Sequence, residues 1–289
     1  MEAPGEERFA MAPRISTTAI SLVALLGFSS AWGAQRTKPP TLNEILKRLD
    51  ANLSHYDAAV PSLFCDEHVI SSQMERNLPE LNTVTDSIFL LKRTPKPDHT
   101  SMLVESREIR SVNGKPATSQ HMDGPAQLSG VFEGGLAVVS LSQTACMSYT
   151  LQRIDRDSPA APYVVRFETA LTPQNSADCL LQEKSKGQVF IDPASMQVAH
   201  LEITTPRHVI VPGNGYGSPI VGRRELTVDY APVLLGGKTF WMPSAITMRV
   251  VRDAGGFHMI AWSFRATYRN YHRLEVTSRI VPGSEAPVR

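Results

Sequence analysis

The residues of this 289-residue chain with the widest chemical repertoire are eight histidines, three cysteines and a few acidic pairs. Metal chemistry would need two or three of them at ligand spacing. His200 and His208 flank one expected strand end, but no H-E-x-x-H or comparable spacing occurs, so surface or lightly buried histidines are expected. Cys65, Cys146 and Cys179 are too widely spread for a structural zinc. Acyl-transfer chemistry would need a nucleophile motif, and the chain past its leader holds neither G-x-S-x-G nor S-x-x-K. Asp66-Glu67 and Asp155/Asp157 lie near expected strand starts and turns, where solvated carboxylates are ordinary. Gly213-Asn214-Gly215-Tyr216-Gly217 is glycine-rich like a phosphate loop. It runs into Ser218-Pro219 and a β pattern rather than opening a helix, so it is expected to be a plain loop. No enzyme, metal or redox cofactor is indicated.

The remaining chemistry is apolar. Met147, Tyr149 and Leu151, then Val165 and Phe167, then Trp262, Phe264 and Tyr268 recur at every second position, which puts them on one face of a sheet. Most such stripes are simply core. A sheet of about ten strands nevertheless offers more apolar face than one helix and one glycine-rich segment can hide. It must then curl, fold over or enclose a cavity suited to an acyl chain. These eight residues are therefore the candidate ligand-binding set.

The elements that must position them begin with a helix. Thr41 and Glu44 form a T-x-x-E capping box, and Leu42, Ile45, Leu46, Leu49, Leu53 and Tyr56 follow helical spacing. Lys47, Arg48, Asp50 and Asn52 fall off that stripe. After Pro61 the pattern turns to period two. Strands are expected at 63–74, 86–93, 102–112, 146–154, 163–171, 187–191, 198–205, 224–234, 239–252 and 257–280. Reversals are marked by Ser158-Pro159, Asp192-Pro193-Ala194-Ser195, Gly236-Gly237 and Gly255-Gly256. Gln127–Ser140 is expected to be a helical interruption, and Pro206–Gly222, with three prolines and four glycines, an irregular loop. The fold class is α+β: a curved antiparallel half-barrel sheet with the helices on its concave face.

The N-terminus sets the compartment. The apolar run Ala19–Phe28 is ten residues long, too short for a ~30 Å hydrocarbon core, and follows Arg14. Residues 1–34 therefore have the form of a signal peptide, with Met11 the expected start because Glu2, Glu6 and Glu7 spoil a positive n-region. Residues 35–282 form one β-rich exported domain and 283–289 a tail, in the periplasm or outside the cell. Past residue 34 there are 27 Lys+Arg against 25 Asp+Glu, which gives no case for nucleic acid. Three cysteines in an exported chain suggest one disulfide and three possible pairings. Cys146–Cys179 is favoured. Strands 146–154 and 163–171 would form a hairpin with Cys146 at the end where Leu171 exits, and Cys179 follows eight residues later.

The order of elements resembles the LolA/LolB-type half-barrel superfamily of periplasmic lipoprotein carriers, with its RseB-type sensor domains. The local likeness lies in Val189–Ile203 with its Asp192-Pro193-Ala194-Ser195 turn, in Phe240-Trp241-Met242-Pro243-Ser244 and in Tyr268-Arg269-Asn270-Tyr271. The resemblance implies a cavity for a lipid or a lipoprotein acyl chain, bound without catalysis. An envelope protein-interaction or sensor domain with a filled core is the alternative.

Overall fold

The computed structural model describes residues 39–73, 81–95, 101–118, 132, 136–152, 158, 160–210, 220–254 and 257–275. The expected leader and tail, the Ser158-Pro159 and Gly255-Gly256 turns as pairs and most of Gln127–Gly135 lie outside them. The chain enters through α1 (Leu42–Ala59), whose first turn carries the expected capping box. Thr41 Oγ1 accepts from the Glu44 amide at 3.3 Å, and the Glu44 carboxylate accepts from the Thr41 amide at 2.7 Å. Ile45, Leu46, Leu49 and Tyr56 bury the apolar stripe. Among the described residues no helix is long and apolar enough to cross a membrane.

Eleven strands follow. They are β1 (Leu63–Gln73), β2 (Leu81–Pro95), β3 (Ser101–Val112), β4 (Lys115–Pro116), β5 (Met147–Leu151), β6 (Tyr163–Thr169), β7 (Lys186–Ile191), β8 (Val198–Ile210), β9 (Ile220–Leu235), β10 (Lys238–Ala254) and β11 (Phe257–Arg273). All pair antiparallel in one open, curved sheet of order β4-β3-β2-β1-β11-β10-β9-β8-β7-β6-β5. Every sequential pair from β5 to β11 is a neighbour. The one long-range join is β1 against β11, where Glu67 faces Tyr268 and Ser71 faces Phe264. β4 alone went unforeseen: Asn113 and Gly114, both at positive φ, fold two residues back onto the end of β3.

Proline decides several irregularities because it gives no N–H to a ladder. Pro206 lies within β8 where the pairing with β9 slips between Thr205 and His208, and Pro243 marks the slip between β10 and β9. The expected loop Pro206–Gly222 is therefore shorter, since β8 runs to Ile210 and β9 starts at Ile220. In β11 an extra residue opposite β1 is absorbed by Asn270 at φ 55°, and its side-chain amide donates to Asp66 Oδ2 at 2.6 Å. Gly236 and Gly237 both take positive φ, which the tight β9–β10 hairpin requires.

The helical interruption is described only in part, and Phe132 within it is helical. Two short 3-10 turns follow, Leu136–Val139 and Leu141–Gln143, so the turn structure continues past Ser140. Here polar groups of α1, both on and off the stripe, act as fasteners. Asp50 Oδ1 accepts from Ser140 Oγ at 2.8 Å and from the Leu141 amide at 3.1 Å, while Tyr56 Oη donates to the Phe132 carbonyl at 3.0 Å. Asn52 Nδ2 donates to the Met196 carbonyl at 2.6 Å in the β7–β8 turn.

The far end of α1 holds no basic residue in its last turn, and the cation comes from β2 instead. Arg93 Nη2 donates to the carbonyls of Asp57 (2.6 Å) and Val60 (2.9 Å), and its Nε also donates to Val60 (3.1 Å). These are the carbonyls a helix leaves unpaired, where a positive charge is favourable. Arg93→Met should lower stability by about 1–3 kcal/mol in urea unfolding. An unchanged midpoint would remove this capping role.

Candidate functional site

Alternation sorts each strand into two faces, and the face beneath α1 is the inner one. On β1 and β2 the odd-numbered residues point inward, so Leu63, Cys65 and Val69 join Phe89 and Leu91 in the core. On β9 to β11 the inward residues include Val228, Ile246, Val250, Phe264, Ala266 and Tyr268, all sealed from solvent.

All eight sequence-nominated residues lie on this face. Met147, Val165, Phe167, Phe264 and Tyr268 are buried; Tyr149, Leu151 and Trp262 are partly buried against the same core. They form two groups rather than one patch. Tyr149 faces Phe167 and Leu151 faces Val165 across β5–β6, with Met147 at the strand end. Trp262, Phe264 and Tyr268 lie on β11, with β10, β9, β8 and β7 in between. Phe167 leans over Gly187 of β7, where a Cβ would run into the Phe167 ring and the Glu202 carbonyl. Tyr149 Oη donates to the Val138 carbonyl at 2.7 Å, so this residue holds the 3-10 segment down as well as facing inward.

The inner face also contains a charged centre that the sequence reading placed in solvent. Asp66 is indeed exposed, but Glu67 lies on the inward parity of β1 and its side chain is fully buried. Arg107 of β3 donates through Nε to both carboxylate oxygens at 2.8 and 2.9 Å, and Ser87 Oγ donates to Oε2 at 2.6 Å. The guanidinium lies 4.9 Å from the centre of the Phe89 ring. Phe132 stacks on Phe89 at 4.2 Å and meets Tyr268 edge-on at 5.0 Å, which roofs the pair with aromatic rings. Burial, reinforced by the Glu67 charge, pushes the Tyr268 hydroxyl well above the usual phenol range. The clue was available: Glu67 alternates with Cys65 and Val69, and Arg107 with Leu103 and Ile109.

Glu67 begins a polar stripe that continues along β1 and β2. Ser71, Thr83, Thr85 and Ser87 are each at most 4% exposed. Beside them the inward row of β8 to β11 is apolar, with Ile203, Leu226, Met248 and Phe264 in cross-strand register. Trp262 stands where the two rows meet, opposite Gln73 on one side and Val250 on the other. Its indole Nε1 is buried and has no hydrogen-bond partner among the described residues; the same holds for the Tyr230 hydroxyl.

The histidines do not converge. His68 Nδ1 is 2.7 Å from Asp86, His208 Nδ1 is 2.9 Å from Glu183, and His200 has Asp229 and Glu202 on opposite ring nitrogens. That last arrangement cannot chelate a single ion, and no metal-binding cluster occurs among the described residues. Cys146 and Cys179 are bonded, the pairing that the hairpin register favoured, with Cα atoms 5.6 Å apart. Cys65 is free and fully buried, and burial pushes its thiol up to about 12, so it is unsuited to nucleophilic or redox work.

No family model and no curated protein matches the sequence. Three solved structures are similar in fold. A LolA superfamily protein from Nitrosomonas europaea shares 10% identity, with 80% of this chain and 94% of that one covered at a TM-score of 0.34. An outer membrane lipoprotein-sorting protein domain from Vibrio parahaemolyticus, so described, shares 11%, covering 80% and 92% at 0.37. A DUF1329 family protein from Desulfovibrio piger shares 8%, covering 83% and 96% at 0.38.

Proposed function

We propose that this protein binds a lipid or the acyl chain of a lipoprotein on the inner face of its half-barrel sheet, in the cell envelope, without catalysis. The observation that carries this reading is the mismatch between the sheet and its cover. Ten strand spacings of about 4.8 Å make the sheet about 48 Å across, whereas the 18-residue α1 is about 27 Å long. Leu226, Met248 and Trp262 keep some exposure although their register points them inward. Burial of their remaining apolar surface against a hydrocarbon chain would stabilise a complex by about 25 cal/mol per Å².

The test is native mass spectrometry of protein purified from the periplasm, before and after organic extraction. An extractable lipid, and renewed uptake on adding a lipid or lipopeptide, is the expected result. Trp262→Lys puts a charge at the partly exposed border of this face and should abolish uptake. Unchanged uptake by a folded Trp262→Lys protein would sink the reading. A clean apo mass with no uptake would instead favour a filled core and a protein-binding role.

A further inference from the structure

We propose that the inner face selects a neutral acyl ester rather than plain hydrocarbon, with the indole N–H of Trp262 as the donor to the ester oxygen. The inference rests on the apolar-ligand reading and adds the chemistry of the ligand's polar end.

Two rows of opposite character run side by side at this place. The β1–β2 stripe supplies short hydroxyls, among which Ser71 faces Thr83 across the two strands. The β9–β11 row supplies Leu226, Met248 and Phe264. Trp262 is stacked at 6.4 Å on Phe264 and sits diagonally across from Ser71, so its ring belongs to the apolar row and borders the polar one. A buried indole N–H normally finds an acceptor, and leaving one unpaired is costly. Among the described residues Nε1 has none. An ester carbonyl at the head of an acyl chain would meet this donor with its chain on the apolar row and its glycerol hydroxyls on the stripe.

Charge argues for a neutral head. The charged groups at the end of the stripe, Glu67 and Arg107, neutralise one another at 2.8 Å, and the rest of the stripe is Ser and Thr. Arg224, in the same cross-strand row as Trp262 through Val250, is held by Glu183 at 3.2 Å and by Thr205, so among the described residues this lining offers an anionic phosphate no uncompensated cation.

The experiment compares dissociation constants of the purified protein for monopalmitoylglycerol, hexadecane and palmitoyl lysophosphatidic acid, and repeats them with Trp262→Phe. The expected result is tighter binding of the glyceride than of the other two. Trp262→Phe should cut the glyceride-to-hexadecane preference about fivefold, the effect of one neutral hydrogen bond. Thr83→Val, which removes a stripe hydroxyl at constant volume, should narrow the same preference and serves if the tryptophan variant fails to fold. Equal binding of glyceride and hexadecane by the unaltered protein would overturn the inference and leave the apolar-ligand reading standing. So would an unchanged preference in both variants, or tighter binding of the phosphate. If nothing binds, both readings fall. With the preference present, a dipalmitoylglyceryl-cysteine peptide held more tightly than the glyceride would assign the ester to a protein-borne lipid; the reverse would assign it to a free one.

Discussion

Glu67→Leu is expected to lower the stability of this protein by about 3–5 kcal/mol, because it leaves the Arg107 guanidinium buried without its counter-charge. For a domain of this size that is a fall in melting temperature of roughly 10 °C. The Arg107 side chain is 7% exposed, so water cannot replace the carboxylate without opening the aromatic roof of Phe89, Phe132 and Tyr268. Arg107→Leu should cost less. A buried carboxylate can take up a proton, whereas a guanidinium stays charged at any accessible pH. The double variant Glu67→Leu/Arg107→Leu should recover much of the loss, since an apolar pair in place of a buried ion pair is often tolerated. Urea unfolding of the three variants checks all of this as one cycle. Additive losses in the double variant would show that the two side chains do not act as a pair.

The second large effect concerns the sheet's far edge. Removing the disulfide with Cys146→Ser/Cys179→Ser should cost on the order of 3–4 kcal/mol, the chain-entropy value for a closed loop of this length. The bond ties the start of β5 to the segment after β6, and β5 is an edge strand paired only with β6 among the described residues. Its loss should therefore act locally as well as globally. Amides of β5 and β6 should lose hydrogen-exchange protection before those of β9 and β10 at the sheet's centre. Reduced unaltered protein should behave like the double serine variant, with Cys65 unlabelled by thiol reagents while the fold persists, since it is buried with its thiol pushed up to about 12. Oxidised and reduced protein unfolding at the same urea concentration would show that the bond adds nothing.

Much of the architecture was legible in the chain because its determinants are local. A capping box and a 3.6-residue stripe specify α1 within some eighteen residues. Period-two alternation specifies which side chains of each strand share a face, and thereby put all eight nominated residues on the inner one. The Asp192 turn likewise closes on itself, with Asp192 Oδ1 accepting from the Ser195 amide at 2.6 Å. The disulfide followed from hairpin register, another short-range quantity.

What the tertiary structure alone decided is everything that depends on strand order. Alternation could have marked Glu67 as inward, but only the β1-β2-β3 arrangement brings Arg107 to it, forty residues away in sequence. The helix's missing C-terminal cation comes from Arg93 on β2, and α1's polar positions 50 and 52 find their partners in the 3-10 segment and the β7–β8 turn. The junction of polar and apolar rows at Trp262 exists because β1 pairs with β11, a join across nearly two hundred residues. Hydrophobic periodicity records how each segment meets its own two faces. It carries no record of which segment lies alongside, and the charge pairing and row boundaries of this inner face are set by that neighbour relation.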